Sequence, residues 1–347
     1  MTNSTQISLW RRGWQYLLTL YHPTTIKQRG LLWSIALFAV TAVVLLFALS
    51  FYWDNEPDSF DVQTVAQARA GEKLVTGYVT TSTLIEITST LLDKPGGYLS
   101  NDKLPPSVFM DNVPNWEFGV LIQVRDFAKA LRNQISRAQT LGNEHPDLEK
   151  AEPQFNIDSG SWLVPAAETE YREGIDYLES YLHKLANPTV KDTQFYTRGD
   201  SLRFWLDTVS YRLGDLSQKL SASIGQMRSN TELAGDASAK RSTTQEMVVQ
   251  VRTPWLEIDD WFYRARGTAW ALIHLLRAVE IDFKEVLEKK NAVVSLQQII
   301  RELEATQSTL WSPVVLNGSD FGLFANHSLV MSSYIARANT GIIKLSE

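Results

Sequence analysis

The chain has 347 residues, with 33 basic and 39 acidic side chains, a formal net charge of −6 and no cysteine. Disulfides and thiolate metal sites are excluded. The acidic balance argues against nucleic acid, whose binders carry a basic face. No cofactor and no metal site is implied by any motif.

The first 30 residues hold Arg11, Arg12, Lys27 and Arg29 and no acid. Trp10, Trp14, Leu17, Leu18 and Tyr21 share one helical face. This predicts a basic arm (1–30) whose helix lies on anionic lipid and ends at Pro23.

Residues 31–53 read LLWSIALFAVTAVVLLFALSFYW, without an ionisable side chain. That length spans a hydrocarbon core of roughly 30 Å as a helix. Trp33 near one end and Trp53 at the other suit the headgroup level. A cleaved signal is the competing reading, but its apolar region runs only about 7–15 residues. Asp54, Glu56, Asp58 and Asp61 follow at once. The positive-inside rule therefore predicts a single-pass inner-membrane protein with a cytoplasmic N-terminus and residues 54–347 in the periplasm. Beyond residue 53 the chain counts 29 basic against 39 acidic side chains, a net of −10.

Helical periodicity dominates this exported part, so the expected fold is mainly α: one transmembrane helix, then a bundle of about six to seven helices. A first helix is predicted over roughly 62–92. Trp116, Val120, Val124, Phe127, Leu131, Ile135 and Ala138 form one stripe. Segment 141–164 reads as a loop. Tyr171 to Leu185 and Leu202 to Leu220 form further stripes, the latter capped by Asp200 or Ser201. The most regular stripe runs Ile258, Phe262, Ala265, Ala269, Leu272, Leu276, Val279, Phe283, Val286. Thr253-Pro254 is its expected start, and apolar residues on its other side mark it as central. Val293 to Leu310 and Ala325 to Leu345 complete the set, the last rich in small residues that permit close approach. No alternation marks a sheet, though Val248 to Val251 could be extended. Heptad spacing also permits a homo-oligomer.

No phosphate loop, dinucleotide fingerprint, zinc-protease motif or nucleophile elbow is present. Glu179 and His183 stand one turn apart, a spacing more often a surface contact than a metal site. Trp270, His274, Arg266 and Arg277 cluster on the central helix as a candidate binding pocket, or as a satisfied structural group. Asp102 and Asp111 crowd the loop 93–115, and Asn326 and His327 the loop 312–328. Paired carboxylates can cleave glycosidic bonds, which makes these four the candidate catalytic residues, whereas Asn and Asp also serve turns. Eleven tryptophans are expected mainly in the core.

KPGGYLSND (94–102), PNWEFGVLIQVRDFAKALR (114–132), WLEIDDWFYRARGTAWALIHLLRAVEIDF (255–283) and NGSDFGLFANHSLVMSSYIARAN (317–339) resemble the bacterial inner-membrane family called domain of unknown function 2333. The resemblance implies a Gram-negative envelope protein and transfers no catalytic residue. The expected role is a membrane-anchored interaction or scaffold module, with the bilayer and envelope proteins as partners. The alternatives are a lipid or small-ligand carrier with an interhelical cavity, and an envelope hydrolase using the loop carboxylates.

Overall fold

The structure, a computed structural model, describes residues 11–347 apart from 13, 17, 71–73, 138–143, 191, 230–247, 310–314 and 316–326. The chain divides into two compact units, Met1–Trp53 and Asp54–Glu347.

In the first unit, helix α1 spans Pro23–Arg29 and α2 spans Leu31–Trp53. Pro23 opens a helix rather than only closing one. It occupies the first helical turn, and the His22 ring accepts from Thr24 N–H, filling an orphan-donor position where proline costs nothing. Gly30 separates the two helices at φ 85°, a conformation that suits glycine. Helix α2 is long and apolar enough to cross a membrane, and most of its surface is exposed, as an element solvated by lipid would be.

In the second unit the described helices are α3 (Val62–Ala70), α4 (Tyr78–Asp93), α5 (Asn112–Ala130), α6 (Pro146–Phe155), α7 (Ala167–Ala186), α8 (Gly199–Ser221), α9 (Ile258–Asp282), α10 (Lys284–Lys289), α11 (Val293–Ala305) and α12 (His327–Ser346). These ten exceed the six to seven expected. One source of the excess is the stretch 62–92, which breaks in two: Gly77 sits at φ 86° as the cap of α4, and the Phe195 ring occupies the space where a Cβ would stand. A second is α10, split from the stripe expected to run on to Val286, and a third is α6, inside the segment expected to be a loop. His145 caps it, Pro146 takes its first turn, and Asp147 and Glu149 complement its dipole.

Helix α9 is the central element. It packs against α3, α4, α5, α8, α11 and α12, and Ile258, Phe262, Ala265, Ala269, Leu272, Leu276, Val279 and Phe283 are all buried. It ends at Asp282, so Val286 falls on α10, where it is half-buried. Its start also differs from expectation. Thr253 bonds to the α8 end, and a turn, Trp255–Glu257, precedes Ile258. The cap expected at Asp200 or Ser201 is likewise replaced, since the Ser201 hydroxyl donates to Gln134 O.

Helices α5 and α9 cross with backbones nearly touching. A Cβ on Gly267 would lie 2.0 Å from Trp116 O, and one on Gly119 would lie 2.2 Å from Arg264 O. Only glycine permits that approach. The small residues of α12 act similarly, with Gly341 against the Ile299 side chain. Gln226–Ser229 (β1) and Val248–Val251 (β2) pair antiparallel, so the extended piece at 248–251 finds a partner.

Candidate functional site

The cluster read on α9 is filled by the chain's own residues. Arg266 binds the Glu56 carboxylate through Nε at 2.8 and 3.0 Å and Nη2 at 2.6 Å. Its Nη1 donates to the carbonyls of Thr306 and Ser308. His274 Nδ1–H donates to Trp270 O at 2.7 Å, which leaves Nε2 to accept from Phe60 N–H at 3.0 Å. Phe60 stacks on the His274 ring at 4.0 Å and meets Trp270 edge-on. Burial holds His274 well below the usual histidine range, at about 4, and the Arg277 charge pushes the same way. Arg277 itself pairs with Glu304 at the surface, at 2.5 Å. This group is a clamp on residues 56–60, not an open ligand pocket. Only Asp54 and Asn55 separate the clamped Glu56 from Trp53 in the sequence.

A second buried pair organises the neighbouring loop. Glu117 on α5 meets Lys94 Nζ at 2.5 Å, with side chains 0% and 1% exposed. The same carboxylate accepts from Leu99 N–H, Ser100 N–H and the Ser100 hydroxyl. Lys94 also donates to Gly97 O. A buried ion pair persists only when its remaining bonding capacity is met, and here the loop 94–100 supplies the donors. Burial pushes the Glu117 carboxyl up, and Lys94 opposes that shift.

The loop beyond exposes apolar side chains. Leu104 and Phe109 are exposed, Phe109 by 80%. Asn101 bonds Ser161 O and Glu168, which brings alongside a second turn where Trp162 and Val164 are exposed, Val164 by 94%. Asn115 bonds Asp260, close to a third exposed pair, Trp255 and Leu256. Asp54, Lys94, Val113 and Trp116 line one small cavity, so this rim lies at the end of the domain where its chain begins. Carboxylates stud the same end. Burial, with the charges of Asp111 and Asp259, raises Asp260 to about 6.

Of the catalytic candidates, Asp102 and Asp111 are both exposed. His327 opens α12, with its ring 6.3 Å from that of Phe262. Asn326 lies outside the described residues. Glu179 bonds Arg69 at 3.1 Å. In the arm, Arg11, Arg12, Lys27 and Arg29 are exposed, with the Arg29 guanidinium 5.0 Å from the Trp33 ring; Trp53 closes α2. Tyr21 bonds Thr41 and meets Phe38 edge-on, so the end of the arm packs along α2. Sequence reading missed Glu56, Phe60 and the Lys94–Glu117 pair. A glutamate directly after Trp116, in a run where Val120, Leu121 and Val124 are apolar, was the available signal for the last.

These features define a helical-bundle protein with an apolar N-terminal helix and, within the bundle, a segment 56–60 clamped to the central helix. The chain belongs to the family described as an uncharacterized protein conserved in bacteria (DUF2333), whose model matches residues 26–347. No curated protein and no solved structure matches it.

Proposed function

We propose that this bacterial protein is a single-pass inner-membrane protein whose periplasmic helical domain works as an interaction module held against the bilayer. The observation that carries this reading is the clamp. Glu56 and Phe60 are fixed to α9 almost as soon as the apolar helix ends. A tethered domain would need a flexible linker there. A clamped one leaves little free chain between the apolar helix and the folded domain, which keeps the domain near the bilayer. The apolar rim supports the reading, because exposed Trp and Phe at that end suit the headgroup layer.

The test is a topology measurement followed by site-specific crosslinking. Protease added to spheroplasts should remove the domain and spare residues 1–30, and carbonate washing should leave the chain in the membrane. Photo-crosslinkers at Phe109 and Trp162 should then give discrete lipid or protein adducts. A protease-resistant domain, or a chain released by the wash, overturns the reading.

A further inference from the structure

A cleft of ≈ 500 Å³ opens between α5, α8 and α9, beside the end of α6. That size lies within the range of small-molecule sites. Its polar groups are unusually uncommitted. Gln123 is wholly buried on α5 and lines the cleft, yet neither amide atom has a hydrogen-bond partner in the protein. Buried polar groups are nearly always paired, so an amide left open on both its donor and acceptor sides marks a place for a ligand. Its surroundings are fixed: one turn before it, Gly119 O accepts from the Thr268 hydroxyl.

Arg264 is the second such group. Its guanidinium is sandwiched 4.6 Å from the Phe118 ring and 4.4 Å from the Trp261 ring. Nη2 donates to Asn115, while Nε is buried without a partner. The other charges are committed. Arg212 binds Asp126 at 2.8 and 3.1 Å, Arg125 donates to the carbonyls of Phe155 and Ile157, and Glu152 takes Arg132 and Asn156. At the mouth stand two exposed groups of opposite sign, Lys129 and Asp215. The open capacity is therefore one amide and one buried guanidinium N–H, with an ammonium at the rim. Burial of Arg264 against rings also lowers its pKa, despite the opposing charges of Asp260 and Asp215, so an added anion beside it regains lost stabilisation.

A primary amide pairs in two directions with another amide, and a guanidinium N–H with an oxyanion. One small chemical group carries both, an amide next to a carboxylate. We propose that the cleft binds the carboxyl end of a short peptide, its last amide against Gln123 and its carboxylate toward Arg264 and Lys129. The proposal stands apart from the membrane reading, since it needs neither the anchor nor the compartment.

The test titrates the full chain in detergent with N-acetyl-alanyl-alanine, its carboxamide, acetate and inorganic phosphate, followed by calorimetry and tryptophan fluorescence. The expected result is saturable binding of the free acid, about tenfold weaker binding of the carboxamide and weaker still of acetate and phosphate. Gln123→Met keeps the side-chain shape and is expected to cost about tenfold in affinity without lowering Tm. If Gln123→Met fails to fold, Lys129→Gln at the exposed mouth should weaken the acid about threefold and leave the carboxamide unchanged. Absence of binding by the acid, equal binding of acid and carboxamide, phosphate held as tightly as the peptide, or unchanged affinity in a folded Gln123→Met or Lys129→Gln variant each overturns it.

Discussion

Arg266 grips Glu56 in a forked ion pair of 2.6 to 3.0 Å, and the two residues are 210 positions apart. The pair joins the start of the domain to its central helix. Because both side chains are largely shielded, at 7% and 19% exposure, each depends on the other to offset the cost of leaving water.

Removing one partner should therefore cost more than removing both. Glu56→Ala is expected to destabilise the domain by about 2–4 kcal/mol, because it leaves Arg266 charged and part-paired. Glu56→Ala with Arg266→Met should recover much of that loss. Thermal unfolding of the full chain in detergent reads both, and limited proteolysis should open the stretch around residues 56–60 in the single variant. Equal stability of wild type and Glu56→Ala would reduce the clamp to a surface contact.

The second half of the clamp titrates. His274 sits at about 4 when folded, against 6.5 in the free group. Between those values the unfolded chain binds a proton that the folded chain refuses. Stability is thus full above pH 6.5, falls as pH drops toward 4, and loses nothing further to this group below it. The loss is on the order of 3 kcal/mol. Asp260 works in the opposite direction: raised to about 6 from 3.8, it favours the folded state as pH falls through that window. Asp260 is partly solvated, so its contribution is screened and smaller than that of His274. Comparing Tm at pH 7 and pH 4.5, His274→Gln should flatten the dependence and Asp260→Asn should steepen it.

Lys94 and Glu117 offer a sharper version of the same logic, since both are sealed from solvent. Glu117→Gln strands a buried ammonium and should cost about 3–5 kcal/mol. Glu117→Met with Lys94→Met should be far milder for the ion pair. It still strips Leu99 and Ser100 of their acceptor, so the loop should gain hydrogen exchange even where Tm recovers. Unchanged exchange across residues 97–102 in the double variant would show that the loop is held by other contacts.

What the sequence made legible was periodicity. The run from Ile258 to Phe283 reads as one buried stripe because α9 meets neighbours on most sides, and each four-three step lands on a core position. Local signals also carried information about α6, where His145-Pro146-Asp147 has the shape of a helix start, although Pro153 inside the same helix is a residue that ordinarily breaks one. Other features lay beyond any local pattern. Gly77 reads as a weak spot in a helix until the Phe195 ring is seen to fill the space beside it. His274 and Arg266 were legible as a cluster, but Phe60 is 214 positions away from His274. No spacing rule reaches that far, so an internal clamp and a ligand pocket look alike in sequence. The openness of Gln123 was hidden for the same reason: its unpaired state is a property of three helices together.

Close backbone approach at the α5–α9 crossing gives a further outcome. A Cβ at Gly267 would meet Trp116 backbone at 2.0 Å, and backbone on a central helix cannot swing aside as a side-chain tip can. Gly267→Ala should cost about 1–3 kcal/mol, or more if the helices separate. Gly160→Ala provides the contrast, because its nearest neighbour is 3.8 Å away. Urea unfolding of the two variants should differ by at least about 1 kcal/mol.

The rim bears on whether the domain touches lipid. Phe109, Val164 and Trp255 are exposed at the end where residue 54 begins the domain, and each apolar side chain moved from water into the headgroup layer is favoured by about 1 kcal/mol. The acids at the same end oppose this, most strongly at neutral pH, when Asp260 is ionised. Contact should therefore tighten as pH falls below about 6. The chain has no cysteine, so a single Phe109→Cys label carrying an environment-sensitive fluorophore reports cleanly from proteoliposomes. Brominated lipid should quench it, and more so at pH 5.5 than at pH 7.5. The same label at Val294→Cys, exposed on α11, should not be quenched. Equal quenching at both positions would mean that the rim faces water or a protein partner, because only direct immersion separates the two sites by depth.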